Sequence, residues 1–247
     1  MEVLTEYEKE VLVKKGFDEE KIFCSGIGID LAQIPTGVDR SFRQRFARDD
    51  EPVVLFVGRH QEGKGILHLI DSMELVWRSV PSARLVIAGK TSDFTKRIHD
   101  RISRIPSQFR PNIILINNFP EETKYKIFAA CDIFAMPSKV DSFGGVYLEA
   151  WAHCKPVIGC WNTPCASVIT DGKDGLLVEY GNAKKIAEAI LGLIKNPELR
   201  LKLGKQGRNK IERQYNWDNI VRITRANYSK VIQRFYEEKY REVPNYG

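Results

Sequence analysis

Two carboxylates lie eight positions apart in a segment that joins an apolar run to a helical pattern. The segment reads Met136-Pro137-Ser138-Lys139-Val140-Asp141-Ser142-Phe143-Gly144-Gly145-Val146-Tyr147-Leu148-Glu149-Ala150. Gly144 and Gly145 leave bare backbone amides at the predicted helix N-terminus, which favours an anion. Asp141 precedes this helix, and Glu149 lies just over one turn into it. The pattern predicts a diphosphate site with carboxylates for the hydroxyls of a sugar and of a ribose. A capped helix with a surface glutamate is the alternative.

A second glycine-rich segment lies directly between a predicted strand and a predicted helix. It reads Gly58-Arg59-His60-Gln61-Glu62-Gly63-Lys64-Gly65. This pattern falls one residue short of the phosphate loop of NTPases, because Gly65 stands where a hydroxyl would bind Mg²⁺. An NTPase is therefore disfavoured. Arg59 and Lys64 remain as two cations that suit a phosphorylated ligand, with a glycine-rich turn and solvated cations as the alternative.

The rest of the chain predicts a frame that brings these segments together. Apolar runs alternate with helical periodicity, and the runs cover residues 53–57, 84–88, 113–116, 133–136, 156–159 and 175–178. Continuous apolar strands separated by helices indicate a parallel sheet that is covered on both faces. With right-handed crossovers, the expected fold is α/β with a doubly wound, Rossmann-like sheet. A nicotinamide fingerprint is excluded, since Gly26-x-Gly28 lacks a third glycine and precedes a linker.

The two ends of the chain do not follow this alternation. Residues 5–15 have an amphipathic pattern that ends at Gly16, and residues 21–24 form a short predicted strand. Residues 33–50 are charged and loop-like, as expected of a linker. A long helix is predicted from Trp217 to about residue 239, followed by a polar tail over residues 241–247.

The composition is that of an ordinary globular protein, with 43% hydrophobic and 28% charged residues and a net charge of +6. No apolar run reaches the ~18 residues of a membrane span, and Met1-Glu2-Val3 begins no signal peptide. We expect reduced core thiols at Cys131, Cys154 and Cys160, and no metal site, because the four histidines are far apart. No aromatic residues interleave with the basic stretch at 195–213, so we expect no nucleic-acid partner. The expected location is the cytoplasm, either free or peripheral to a membrane.

The residues around Asp141 and Glu149 carry a resemblance to a known family. Residues 136–150 resemble the E-x₇-E signature of the retaining, nucleotide-sugar-dependent glycosyltransferases of group 1 (family 4), with Asp141 where the family usually has Glu. Gly58-Arg59 and Lys64-Gly65 resemble the diphosphate-binding segment of that family. Further typical segments are matched at residues 85–89, 131–138, 155–159 and 171–178. The similarity keeps the correct order over about 180 residues, and residues 5–30 resemble the end of the family's first domain and its hinge.

The resemblance implies the GT-B arrangement, in which the C-terminal domain binds the nucleotide-sugar donor. By this resemblance, Arg59 and Lys64 neutralise the donor diphosphate. Asp141 holds a hydroxyl of the donor sugar, and Glu149 accepts hydrogen bonds from the ribose. The other implied donor contacts are Gly58, Asn118, Phe119, Ser142, Phe143, Gly144, Gly145 and Val146, with Asn118 and Phe119 near the nucleobase. No metal or other cofactor is implied, and the acceptor is an unidentified sugar or lipid-linked molecule.

The resemblance also divides the chain into three parts. Residues 1–36 correspond to a remnant of the acceptor domain and the hinge, residues 37–215 to the donor-binding domain, and residues 216–247 to a crossover helix and tail. The rest of the acceptor domain is missing and would be supplied in cis or in trans. We therefore expect this chain alone to bind donor but to transfer sugar weakly or not at all. The apolar face of the crossover helix is expected to be partly exposed and to favour self-association.

Several positions depart from the family pattern. Asp141 is one methylene shorter than Glu, and Ser142 and Cys154 each replace a usual Gly. Trp161-Asn162-Thr163-Pro164-Cys165 stands where the family generally has a Gly-Gly turn followed by a Glu. These differences bear on which sugar and acceptor are used and on whether the site is active. A non-catalytic module that binds a nucleotide sugar is therefore the alternative function.

Overall fold

Strands and helices alternate along the part of the chain that the structure, a computed structural model, describes, which is residues 1–35, 37 and 39–241. The strands are β1 (Glu2–Val3), β2 (Phe23–Cys24), β3 (Val53–Val57), β4 (Arg84–Gly89), β5 (Ile113–Asn117), β6 (Ile133–Ala135), β7 (Val157–Cys160) and β8 (Gly175–Val178). The helices are α1 (Glu6–Lys14), α2 (Arg40–Gln44), α3 (Ile66–Ser79), α4 (Phe94–Ser103), α5 (Glu121–Ala130), α6 (Gly145–Ala152), α7 (Ala183–Lys195), α8 (Pro197–Gln214) and α9 (Trp217–Arg241).

Six of these strands form one parallel sheet in the order β5-β4-β3-β6-β7-β8. β3 lies at its centre, where Val54 pairs with Leu85 on one side and with Ile133 on the other. All residues of β3 are buried, as in an apolar strand that is covered on both faces. The chain winds from β3 to one edge and then from β6 to the other. The predicted α/β fold with a doubly wound, Rossmann-like sheet is therefore confirmed.

Large aromatic side chains join the helices to this sheet. α3 packs against α4 and α7, whereas α6 packs against α5 and α8. Trp77 of α3 and Trp151 of α6 are completely buried. Their indole nitrogens donate to the main-chain oxygens of Ala83 and Asp174, each at 2.8 Å. Burying such a side chain with its polar atom satisfied stabilises the fold by roughly 1.5–3 kcal/mol.

The N-terminal segment, residues 1–30, packs against the C-terminal half of the chain. Its predicted helix and strand are found as α1 and β2. The sequence did not predict β1, which pairs with β2 in parallel. The Tyr7 amide donates to the hydroxyl of Ser167 at 3.0 Å, and the Ile29 amide donates to the Tyr215 carbonyl at 2.7 Å. The division of the chain at residues 36 and 215 stays a prediction.

The prediction of a loop-like linker at residues 33–50 is wrong in one respect, because this segment contains α2. Asp39 caps this helix by accepting a hydrogen bond from the Phe42 amide at 3.1 Å. The buried guanidinium of Arg43 donates to the Glu51 carbonyl at 2.8 Å and to the Asp132 carboxylate at 3.0 Å. These long-range bonds hold a charged segment in a helix where its composition indicated a loop.

One side of α9 is exposed. Tyr228, Val231, Ile232 and Phe235 are each more than half exposed, which confirms the expected partial exposure of apolar side chains on this helix. Self-association through this face stays a prediction. The predicted tail lies outside the described residues from position 242 onward. Within the described part of the chain, no helix is long and apolar enough to cross a membrane.

The prediction of core thiols is correct for Cys131 and Cys160, which are buried, but wrong for Cys154, which is exposed. Cys154 follows the last turn of α6 and has a φ of 54°. In this left-handed region a side chain costs ~1–2 kcal/mol, and glycine does not pay this penalty. The turn after α6, and not core packing, therefore determines what residue suits position 154.

Replacing Cys154 with Gly is expected to raise the free energy of unfolding by up to about 1 kcal/mol, because it removes this strain and the lost side chain is exposed. Urea unfolding of the reduced protein measures the change. Cys154→Ala is the control, since it keeps the Cβ atom and should bring no gain. An equal gain in both variants would contradict the strain explanation.

Candidate functional site

Two loops meet at the carboxyl edge of the sheet, where the strand order reverses between β3 and β6. Residues 58–65 connect β3 to α3, and residues 136–144 connect β6 to α6. The carbonyl oxygen of Gly63 accepts hydrogen bonds from the Lys139 amide at 2.8 Å and from the Ser138 hydroxyl at 3.3 Å. In doubly wound sheets, the crevice at such a reversal is the usual place for a ligand.

Gly65 allows these loops to approach each other closely. It has a φ of +79°, and a Cβ atom added there would lie 2.0 Å from the carbonyl oxygen of Pro137. Neither the backbone conformation nor the space therefore admits a side chain. Gly65, whose lack of a hydroxyl argued against a magnesium site in the sequence, is therefore required by the packing of the two loops.

Lys64 and Asp141, one from each loop, form an ion pair. Nζ of Lys64 lies 2.8 Å from Oδ2 of Asp141, and both side chains are less than one-fifth exposed. The resemblance assigned these residues to different parts of a ligand, and the structure brings them into contact. A lysine ammonium has three donors, so Lys64 can bind a phosphate oxygen while it remains bonded to Asp141.

α3 and α6 both begin at this crevice, and neither is capped by a side chain. Their N-cap residues are Gly65 and Gly144, both in the left-handed conformation. Within the described part of the chain, the first amides of each helix have no side-chain acceptor, and the helix dipoles add positive potential there. The Tyr147 hydroxyl donates to the Met136 carbonyl at 2.6 Å, which ties α6 to the end of β6. The crevice therefore suits an anion.

The remaining predicted residues of the second loop differ in exposure. Phe143 is buried, and its ring meets the edge of the Tyr215 ring at a centroid distance of 5.5 Å. Ser142 is exposed, and Gly145 and Val146 are half-buried in the first turn of α6. Phe143 thus anchors the loop, while Ser142 remains accessible to a ligand.

Arg59 is an exposed cation of this site. The neighbouring Gly58 amide donates to the Ala88 carbonyl at 3.0 Å, which continues the pairing of β3 with β4. Within the described residues, the Arg59 guanidinium has no hydrogen-bond or ion-pair partner, so it is available to an anionic ligand.

Across the same residues, no three His, Cys, Asp or Glu side chains are grouped so that they could hold a metal ion. The absence of such a group does not test the prediction that no metal is required.

Glu149 lies on the second turn of α6 and pairs with Lys124 of α5. Nζ of Lys124 lies 2.7 Å from Oε1 of Glu149. The other carboxylate oxygen, Oε2, is buried and has no hydrogen-bond partner among the described residues. Burial raises the pKa of Glu149, and the bond to Lys124 opposes this rise. Because buried acceptors are nearly always satisfied, Oε2 can accept a further hydrogen bond, for example from a ligand.

Lys124 is a site residue that the sequence analysis missed. It also contacts Glu121, one turn earlier on α5, which from the sequence alone is an ordinary pair on a helix surface. Burial lowers the pKa of Lys124, but its bonds to Glu121 and Glu149 raise the pKa overall. Only the packing of α5 against α6 brings Lys124 to Glu149, so no sequence signal could have found this contact.

Asn118 and Phe119 follow β5, which lies two strands away from β3. The Asn118 side chain donates to the Thr91 hydroxyl at 3.0 Å and accepts from the Thr91 amide at 3.1 Å. Phe119 is partly buried against the core. These contacts give both residues structural roles at the same edge of the sheet. Their position near a nucleobase stays a prediction.

Gly65→Ala is expected to destabilise the protein by more than the ~1–2 kcal/mol of left-handed strain, because the clash with Pro137 adds to it. Urea unfolding measures this loss. Gly192→Ala in α7 is the matched control, since its added Cβ atom meets nothing within 4 Å. The control should be stabilised by up to about 1 kcal/mol. A similar effect in both variants would show that the loops do not need this close approach.

Glu149→Gln is expected to change how stability depends on pH. Because the pKa of Glu149 is raised on folding, the folded state binds more protons than the unfolded state between the two pKa values. The wild type should therefore lose stability relative to Glu149→Gln as the pH rises from about 4 to 7. Urea unfolding over this range measures the difference, with Glu122→Gln at an exposed position of α5 as the control. If the difference in the free energy of unfolding between wild type and Glu149→Gln stays constant with pH, the burial of this carboxylate is contradicted.

Comparison with known proteins identifies the family. The model of the glycosyl transferases group 1 matches residues 38–210. The α-maltose-1-phosphate synthase of Mycolicibacterium smegmatis is 29% identical over 228 residues, which are 87% of this chain and 58% of that protein. The chain thus spans little more than half the length of this curated relative.

Two solved structures share the fold. HepE of Anabaena, solved in complex with UDP and glucose, superposes with a TM-score of 0.81 at 19% identity, over 93% of this chain and 62% of that one. The C-terminal domain of a group 1 glycosyl transferase (LpcC) from Francisella tularensis superposes with a TM-score of 0.67 at 23% identity, over 77% of this chain and 100% of that one. The chain therefore belongs to the group 1 glycosyltransferases, and its fold is that of the C-terminal domain of a GT-B glycosyltransferase.

Proposed function

We propose that this chain is the donor-binding half of a glycosyltransferase that transfers a hexosyl unit, with retention, from a nucleotide-diphosphate sugar to an acceptor. The observation that carries this proposal is the Lys64–Asp141 pair beside two uncapped helix N-termini. One crevice thereby offers a cation and amides for a diphosphate next to a carboxylate for a sugar hydroxyl. The structure of HepE with UDP and glucose, which has the same fold, agrees with this class of ligand.

Each group of the donor has a proposed partner. Arg59, Lys64 and the first amides of α3 and α6 bind the diphosphate. Asp141 accepts a hydrogen bond from a hydroxyl of the donor sugar and keeps its bond to Lys64. Glu149 binds the ribose through Oε2, the acceptor that has no partner among the described residues.

The transfer step moves one glycosyl group without a change of oxidation state. The bond between the anomeric carbon and the diphosphate oxygen breaks, and its electron pair stays on the diphosphate. The acceptor oxygen bonds to the anomeric carbon on the face from which the diphosphate leaves, and its proton passes to the departing phosphate. Negative charge grows on the phosphate during this step, so Arg59 and Lys64 stabilise the transition state more than the bound donor. The scheme uses no metal or other cofactor.

A non-catalytic module that binds a nucleotide sugar is the second candidate. One observation favours it: Asp141 is shorter than the usual Glu and is already bonded to Lys64. Adding the N-terminal domain of a group 1 relative in trans separates the two candidates. Sugar transfer to an added acceptor would support the enzyme, whereas donor binding without transfer would support the module.

Calorimetric titration with UDP, GDP and ADP tests the donor site. We expect one of these nucleotides to bind without Mg²⁺, and Lys64→Ala to weaken that binding roughly 10–100-fold, because a hydrogen bond to a charged group contributes about 1.5–3 kcal/mol.

Lys173→Ala, at an exposed lysine in the turn before β8, is the matched control and should leave the affinity unchanged. Failure of all three nucleotides to bind the folded wild type would contradict the proposed donor site. Equal losses in the Lys64 and Lys173 variants would show that the effect is one of net charge. Binding only in the presence of Mg²⁺ would overturn the metal-independent scheme.

A further inference from the structure

A second cleft, here called the Trp161 cleft, lies at the carboxyl ends of β7 and β8. It has a volume of about 670 Å³, and its lining includes Tyr7, Lys139, Trp161, Asn162, Glu179 and Tyr180. Trp161 is 46% exposed, so the cleft presents much of an indole ring to solvent. The proposed binding of the donor uses none of these residues.

An anchored loop holds Trp161 in this position. The Trp161 amide donates to the Val178 carbonyl at 3.0 Å. The Thr163 hydroxyl donates to the Cys160 carbonyl at 2.9 Å, and the Cys160 amide lies 3.3 Å from Sγ of Cys165. The backbone that carries Trp161 is therefore held on both sides by the folded loop, and its indole projects from an anchored position. A preorganised aromatic surface loses little conformational entropy when it binds a ligand.

Polar and charged groups surround this aromatic surface. The Asn182 side chain donates to the Glu179 carboxylate at 3.0 Å and orients it. Nζ of Lys139 lies 5.7 Å from the centre of the Tyr180 ring, and Asn162 is exposed. A pyranose ring combines a face of C–H groups with a rim of hydroxyls that donate and accept hydrogen bonds. An indole bordered by a carboxylate, an amide and an ammonium group matches both features, whereas an apolar ligand would desolvate the charges without compensation.

The Trp161 cleft adjoins the proposed donor site. Tyr7 lines this cleft and also a neighbouring groove that is lined by Asp141 and Pro164. Lys139 lies two residues before Asp141 in the same loop. An acceptor hydroxyl has to reach the sugar that Asp141 holds, so a ring bound in the adjoining cleft belongs to the acceptor. We propose, on the basis of the proposed function, that the Trp161 cleft binds a saccharide ring of the acceptor, which makes the acceptor a glycan or glycoside.

Tryptophan fluorescence tests this proposal. Trp77 and Trp151 are fully buried and Trp217 is exposed, so Trp217→Phe leaves Trp161 as the one exposed tryptophan of the chain. This variant is titrated with the methyl glycosides of glucose, galactose, mannose and N-acetylglucosamine, with sorbitol as an acyclic polyol control. We expect at least one glycoside, and not sorbitol, to shift the Trp161 emission with saturation.

Saturation-transfer NMR with the same glycosides then compares wild type, Trp161→Ala and Trp161→Phe. Loss of the indole should weaken binding about tenfold or more, while Phe retains an aromatic face and part of the affinity. Circular dichroism confirms that each variant is folded. The proposal is overturned if no glycoside shifts the emission, if sorbitol acts equally, or if Trp161→Ala binds as tightly as wild type. An emission that changes with protein concentration and not with sugar would also overturn it, in favour of contact between two copies of the chain.

Titration of the Trp217→Phe protein with UDP, GDP and ADP separates this inference from the proposed function. Nucleotide binding without glycoside binding would overturn the saccharide cleft and leave the donor site supported. Glycoside binding without nucleotide binding would contradict the donor site, and with it the assignment of the bound ring to an acceptor. Binding of both supports both.

Discussion

The loops after β3 and β6 can meet only because position 65 has no side chain, since a Cβ atom there would lie 2.0 Å from the Pro137 carbonyl. This close approach lets the Gly63 carbonyl accept a hydrogen bond from the Lys139 amide. It also brings Nζ of Lys64 to 2.8 Å from Oδ2 of Asp141. It also places the N-termini of α3 and α6 at the same crevice. The charge arrangement of the site thus depends on backbone packing at the reversal of strand order.

Both carboxylates of the site are held by lysines: Asp141 by Lys64 and Glu149 by Lys124. A largely buried carboxylate without a counter-ion would be costly, so each lysine offsets part of the cost of burying its partner. A donor would add to these pairs, because its phosphate can use the remaining donors of Lys64 and its hydroxyls can use the remaining carboxylate oxygens. The Lys64–Asp141 pair is neutral, so the exposed Arg59 would supply the excess positive charge for the proposed diphosphate.

The main sheet could be predicted from the sequence because its strands are buried on both faces and therefore appear as uninterrupted apolar runs. The shared crevice of Asp141 and Lys64 could also be predicted, since both follow strands whose carboxyl ends lie at one edge. Their direct contact could not be predicted, because it depends on the approach of Gly65 to the opposite loop. The same limit applies to α2, which depends on the long-range bonds of Arg43, and to Lys124, which depends on helix packing.

Two of the departures from the family pattern, Asp141 and Trp161, lie where we propose that sugar rings bind, and not where we propose that the diphosphate binds. Asp141 and Trp161 line two neighbouring grooves that share Tyr7, whereas Arg59 and Lys64 match the pattern. An enzyme and an inactive binding module both need the diphosphate residues, so those residues do not distinguish the two functions. The proposed acceptor cleft at Trp161 is different, because only an enzyme has to position an acceptor near the donor sugar. Acceptor binding in the Trp161 cleft, as proposed, would therefore favour transfer over binding alone.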